Sequence, residues 1–299
     1  MSRSPSSLPR AALPWRERAA RYARLTRLDK PIGIYLLLWP TLDALWLAAG
    51  GWPGWERLAI FCLGTLLMRS AGCAVNDVAD RNFDGHVART ANRVVAQGLV
   101  SVREALGLAA VLAGAAALTL PLLDPACFPL AVVAVLVSVS YPFFKRFFPM
   151  PQAYLGIAFS FGIPMAFAAV LGRVPVEGWW LFGANLFWVL AYDTEYAMVD
   201  RSDDLRLGLR SSAILFGRSD VAAVALCYGA YLGLLAWLAW FSSLGWAFAA
   251  GWLAALASAL RHLEWIRGRD PQSCFRAFRH NHWLGLFVFA GIVGGTLWR

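Results

Sequence analysis

Apolar runs close to twenty residues long recur along almost the whole chain, and nothing else in the sequence limits its fold so strongly. A run of that length as a helix matches the ~30 Å hydrocarbon layer of a bilayer. Nine such stretches fall near 31–50, 58–78, 104–123, 127–144, 153–172, 178–199, 220–241, 243–260 and 283–298. Composition agrees: 59% of residues are hydrophobic and 15% charged, against about 25% charged in ordinary soluble domains. The expectation is an all-α polytopic membrane protein of about nine transmembrane helices, with residues 1–30 a basic leader and 31–299 one membrane domain.

The formal charge of +9 suggests a nucleic-acid partner until its distribution is followed. Of 27 basic residues, all but Arg57, Arg69, Arg173 and Arg299 fall in the leader or in alternate loops. The positive-inside rule then puts the N-terminus and those loops in the cytoplasm and the C-terminus outside. The charge belongs to one membrane face, and no nucleic acid is implied. "MSRSPSSLPRAALPWRERAARYARL" has no apolar core, so it is not a secretory signal. Its composition is also that of a transit peptide, but a basic leader at the lipid surface is the simpler reading. The five cysteines lack metal-ligand spacing and read as reduced packing residues.

All large polar loops share the cytoplasmic face, and two of them open with acids at the edge of hydrocarbon. In "NDVADRNFD" (76–84) the side chains of Asn76, Asp80 and Asp84 recur every four residues and share a helical face, with Asp77 one step round. In "YDTEYAMVDRSDD" (192–204) the acids Asp193, Asp200 and Asp204 form a second stripe. Acids at that depth need compensating cations. An all-oxygen donor set suits Mg²⁺, which binds one or two carboxylates together with substrate phosphates. "DRNFDG" mimics the start of a calcium loop, yet its twelfth position is Ala91 rather than Glu, which excludes that reading. Basic groups for a polyanion surround the acids: Arg89 and Arg93 in "RTANR", then Lys145 and Arg146, with Tyr141, in "YPFFKRF". Arg69 lies seven residues before Asn76, roughly 10 Å deeper. There it must face a polar cavity, pairing with an acid or gripping the carboxylate of a small substrate.

Together these strings resemble the UbiA-type aromatic prenyltransferases. "NDVADRNFDGHVARTANR" is similar to their NDxxDxxxD motif and "YDTEYAMVDRSDD" to their second aspartate motif. "RLDKPIG", "MRSAGC", "YPFFKR" and "GIPMAF" extend the likeness almost end to end, most closely to the 4-hydroxybenzoate polyprenyltransferase branch of ubiquinone biosynthesis. The chain departs from the family pattern at "VVAQG" (94–98), usually Pro-containing, and at Ser202, commonly acidic. The resemblance implies nine helices around a central cavity with a cytoplasmic cap, in a bacterial inner membrane. It implies two Mg²⁺ ions, one on Asn76, Asp80 and Asp84 and the other on Asp193, Asp200 and Asp204. Arg93 and Lys145 would grip the diphosphate of a polyprenyl diphosphate, with Tyr141 and Arg146 beside them, and Arg69 the carboxylate of 4-hydroxybenzoate. Asp77 would take the ring proton. Dihydroxynaphthoate, homogentisate or haem are rival acceptors, and a cation-coupled transporter is the rival from another class.

Overall fold

The computed structural model describes residues 14–87, 89–144 and 146–297. Twelve helices follow one another, with no strand among the described residues. They are α1 (Trp15–Leu25), α2 (Ile32–Ala49), α3 (Trp55–Asp84), α4 (Val102–Ala117), α5 (Cys127–Phe144) and α6 (Pro151–Ser160). Then come α7 (Gly162–Leu171), α8 (Val176–Leu207), α9 (Ser212–Phe216), α10 (Asp220–Phe241), α11 (Trp246–Ile266) and α12 (Pro271–Leu297).

Among the described residues, six segments are long and apolar enough to cross a membrane: Ile32–Ala49, Trp55–Asp84, Val102–Leu122, Cys127–Phe144, Pro151–Leu171 and Ser212–Phe241. The other three expected spans lie in α8, α11 and α12. Those helices are long but carry buried polar groups, among them Asp193, Glu195, His262 and Asn281. By length and apolarity alone, six candidate crossings stand out among the described residues, and these criteria do not by themselves reach nine. The fifth expected span is two helices. Pro164 has no N–H to give the carbonyl of Ser160, and the chain breaks between α6 and α7 at that point.

Two helices run well beyond hydropathy. α3 has 30 residues and α8 has 32, each about 45 Å or more at 1.5 Å per residue. Both exceed the hydrocarbon layer by several turns, so both acidic motifs are helical throughout rather than lying in loops. α8 is the hub, packing on α6, α7, α10 and α12. α4 and α5 lie at the periphery, with a ninth or so of their apolar windows buried, as lipid-facing helices should be. α11 and α12 touch backbone to backbone, since a Cβ on Gly251 would stand 2.4 Å from the Phe287 carbonyl oxygen. Small residues of this kind let membrane helices approach closely.

A second, smaller core explains the cap. Leu25 of α1 packs with Val94, Val95 and Val100 of the α3–α4 connection and with Ala71, Ala74 and Val78 of α3. Arg21 and Arg24 of α1 donate to the carbonyls of Leu99 and Asn92 (3.1 and 2.8 Å). Ser101 and Glu104 form a capping box that starts α4. Residues 15–25, expected as leader, are thus a helix folded over the acidic end of α3.

Candidate active site

The first motif forms the last turns of α3. Asp77, Asp80 and Asp84 are buried, none more than 5% exposed, and Asn76 is half-buried beside them. The chain folds back after α3 and brings Arg93 over this row. Its Nη1 stands 2.8 Å from Asp84, 3.3 Å from Asp77 and 3.9 Å from Asp80. Arg27, in the left-handed conformation just after α1, adds a 2.7 Å pair to Asp77. One carboxylate oxygen of Asp77, Oδ2, is buried without a hydrogen-bond partner.

The second motif lies on α8. Arg89, five residues after Asp84, forks onto Asp200: its Nε is 2.9 and 3.1 Å from the two carboxylate oxygens, and its Nη2 also pairs with Oδ2. The same guanidinium covers the Tyr196 ring at 4.3 Å. A segment anchored to the first row thereby grips the second, so the two rows meet at one place. Asp193 is buried on α8 and Asp204 half-buried near its end. Tyr141 of α5 has Asp193, Asp80, Arg69 and Tyr196 as electrostatic neighbours.

Below them sits Arg69. Its guanidinium lies over the Phe159 ring at 5.3 Å and rests on Gly33, where a Cβ would come within 2.5 Å of Nη2. Asp193 and Tyr192 are its electrostatic neighbours. No ion pair to Arg69 occurs among the described residues, and its Nε and the Tyr192 hydroxyl are both buried without hydrogen bonds. Buried polar atoms seldom lack partners, so these two atoms are open to a water or a polar ligand.

Two expected positions need comment. Lys145 lies outside the described residues. Arg146 is placed away from the acid rows: it donates to the Ala79 carbonyl at 2.9 Å and covers Phe83 and Phe143. The reason is helical geometry, because Val75, Val78 and Asn82, which line the same groove, occupy a neighbouring stripe of α3. Arg201 joins Arg269 on the buried Asp220, at 2.9 and 2.7 Å, tying the end of α8 to α10.

The fit to divalent ions can be judged from this geometry. No group of three His, Cys, Asp or Glu side chains is preassembled for a metal among the described residues. The donors are nonetheless all oxygen, sit on two helices joined by Arg89, and are paired with guanidinium groups that a polyanion would attract. The set fits a hard dication that arrives with a phosphate ligand, not a permanently loaded metal cage.

The fold and sequence have known counterparts. Residues 37–287 match the UbiA prenyltransferase family. The 4-hydroxybenzoate octaprenyltransferase of Burkholderia vietnamiensis is 59% identical over 276 residues, covering 92% of this chain and 95% of that protein. That of Cupriavidus metallidurans is 60% identical over 275 residues, covering 92% and 93%. Among solved structures, a UbiA homolog from Aeropyrum pernix K1 superposes with a TM-score of 0.75 at 26% identity, covering 87% of this chain and 96% of that one. A UbiA homolog from Archaeoglobus fulgidus bound to GPP and Mg²⁺ shares the fold alone, with a TM-score of 0.69 at 17% identity over 91% and 99% of the chains. Two acid-bearing helices, a cap that joins them and a match across most of the length lead to one assignment: the chain belongs to the UbiA prenyltransferase family.

Proposed function

We propose that this protein is an integral membrane enzyme that transfers a polyprenyl group from polyprenyl diphosphate to 4-hydroxybenzoate. The new bond forms at the ring carbon ortho to the hydroxyl, a step of ubiquinone biosynthesis. The relatives named above support the acceptor. The observation that carries the reading is the stack of two acid rows, joined by Arg89, over an Arg69 that makes no ion pair among the described residues and whose Nε is buried without a hydrogen bond.

The allylic C–O bond of the prenyl diphosphate breaks, and diphosphate leaves with the electron pair. Arg93 and Arg89 offer it guanidinium forks once they turn from their carboxylates. Mg²⁺, held by Asn76, Asp80 and Asp84 and by Asp193, Asp200 and Asp204, would supply the remaining neutralisation of the leaving group. Tyr141, Phe159, Tyr192 and Tyr196 line the space with π-faces that tolerate an allylic cation and keep water out. Arg69 holds the acceptor carboxylate and so turns the phenol end toward the cation. The ring carbon attacks, a C–C bond forms, and the ring proton passes to Asp77 Oδ2. That proton comes from a cationic ring and is strongly acidic, so even a carboxylate paired with Arg27 and Arg93 is basic enough. The charge pattern supports a site at the cytoplasmic face with the N-terminus inside, and the polyprenyl tail would extend sideways into lipid.

The deciding assay uses purified protein, Mg²⁺, a polyprenyl diphosphate and radiolabelled 4-hydroxybenzoate. Label entering the lipid phase is the expected result. No incorporation, with dihydroxynaphthoate or homogentisate prenylated instead, would replace the acceptor. Failure with every aromatic acceptor, despite bound diphosphate, would remove the enzyme reading.

A further inference from the structure

The acid stripe of α8 has a back, and that back is polar. Glu195 follows Asp193 by two residues, so it points roughly the opposite way on the helix. It is fully buried, at 0% exposure, against α10, α11 and α12. The Tyr228 hydroxyl of α10 approaches Glu195 Oε1 at 2.9 Å, and Asn281 Nδ2 of α12 donates to Oε2 at 2.9 Å. Asn281 Oδ1 in turn accepts from Trp188 Nε1 of α8 at 2.9 Å and lies 3.0 Å from the Tyr228 hydroxyl. His262 Nδ1 of α11 meets that hydroxyl at 2.9 Å, and His262 Nε2 meets His280 Nδ1 of α12 at 3.0 Å. No arginine or lysine pairs with Glu195 among the described residues. Four helices are thus joined through one carboxylate by neutral partners.

Apolar contact alone gives membrane helices little reason to choose one rotation over another, because lipid is as apolar as a neighbouring helix. Hydrogen bonds to a buried carboxylate do choose. Turning α8 by one residue would swing Asp193 and Asp200 from the first row and strip Glu195 of both donors at the same time. We infer that Glu195 is a positioning residue: with Tyr228 and Asn281 it fixes the rotation of α8, and so the aim of the second acid row. The inference rests on reading that row as half of a diphosphate and divalent-ion site.

The network also says which replacement is tolerated. The Tyr228 hydroxyl has one proton and three neighbours, Glu195 Oε1, His262 Nδ1 and Asn281 Oδ1. An amide N–H at the place of Oε1 donates to the hydroxyl and frees its proton for Asn281, so Glu195→Gln keeps the lattice intact. Glu195→Leu removes it while preserving bulk.

The experiment uses the full chain in lipid nanodiscs with a non-hydrolysable prenyl diphosphate analogue and no acceptor, reading bound Mn²⁺ by electron paramagnetic resonance. Glu195→Leu is expected to weaken Mn²⁺ binding about tenfold, what one or two interhelical hydrogen bonds supply in a membrane, with Glu195→Gln near wild type. In turnover assays the KM for 4-hydroxybenzoate stays unchanged. Unaltered Mn²⁺ binding in the Leu variant, or equal loss in the Gln variant, overturns the inference. If the Leu variant does not fold, Tyr228→Phe keeps the ring, loses one bond to Glu195 and must still weaken Mn²⁺ binding; no change there also overturns it. Wild-type protein that binds no Mn²⁺ would sink the site reading and this inference together. Mn²⁺ binding without prenylation of 4-hydroxybenzoate would sink only the acceptor.

Discussion

Replacing Arg69 by alanine separates a substrate-binding arginine from a structural one. The side chain lies over Phe159, rests on Gly33 and has a buried Nε without a hydrogen bond. If its partner is the acceptor carboxylate, the loss is that of a partly buried, charge-assisted pair, about 2–3 kcal/mol. At roughly 1.4 kcal/mol per decade, the KM for 4-hydroxybenzoate rises about 30- to 150-fold. The kcat at saturating acceptor stays within about threefold, because binding alone is affected. Steady-state kinetics with varied acceptor and saturating prenyl diphosphate measure both. Phenol, which lacks the carboxylate, completes a cycle: wild type and Arg69→Ala should then use it about equally. A fall in kcat with KM unchanged, or the same wild-type-to-variant ratio for phenol and 4-hydroxybenzoate, would refute the assignment.

Three other outcomes follow from the same structure. Gly33→Ala puts a methyl group 2.5 Å from Arg69 Nη2; displacing the fork by about an ångström should raise the acceptor KM about tenfold or more, and an unchanged KM would show that the guanidinium has slack. Asp80→Ala should lower kcat by about 100- to 1,000-fold at every acceptor concentration, and rescue by excess acceptor would contradict its place in the diphosphate site. Gly251→Val drives a side chain into the Phe287 carbonyl and the Gly291 backbone; a loss of about 1–3 kcal/mol should appear as a lower thermal midpoint in detergent, with Mn²⁺ affinity retained below it.

Much of this protein is decided by periodicity along the chain. Twenty-residue apolar runs require membrane helices whatever their neighbours, because an unpaired backbone has no water to bond with in hydrocarbon. Four-residue spacing puts Asn76, Asp80 and Asp84 on one face, and an arginine seven residues deeper must find a polar cavity. Such statements need one helix only, so sequence suffices for them. Partners are another matter. That Arg89 reaches Asp200 across 111 positions, that Arg146 turns to Ala79 instead of the acids, that α1 folds over α3, and that Glu195 backs onto Tyr228 and Asn281 all depend on how helices pack. In lipid, interhelical hydrogen bonds and close backbone contacts make that choice, and neither leaves a repeat in the sequence. Helical spacing sends Asp193 and Glu195 to opposite faces of α8; only the tertiary structure decides which face meets the first acid row and which meets Tyr228 and Asn281.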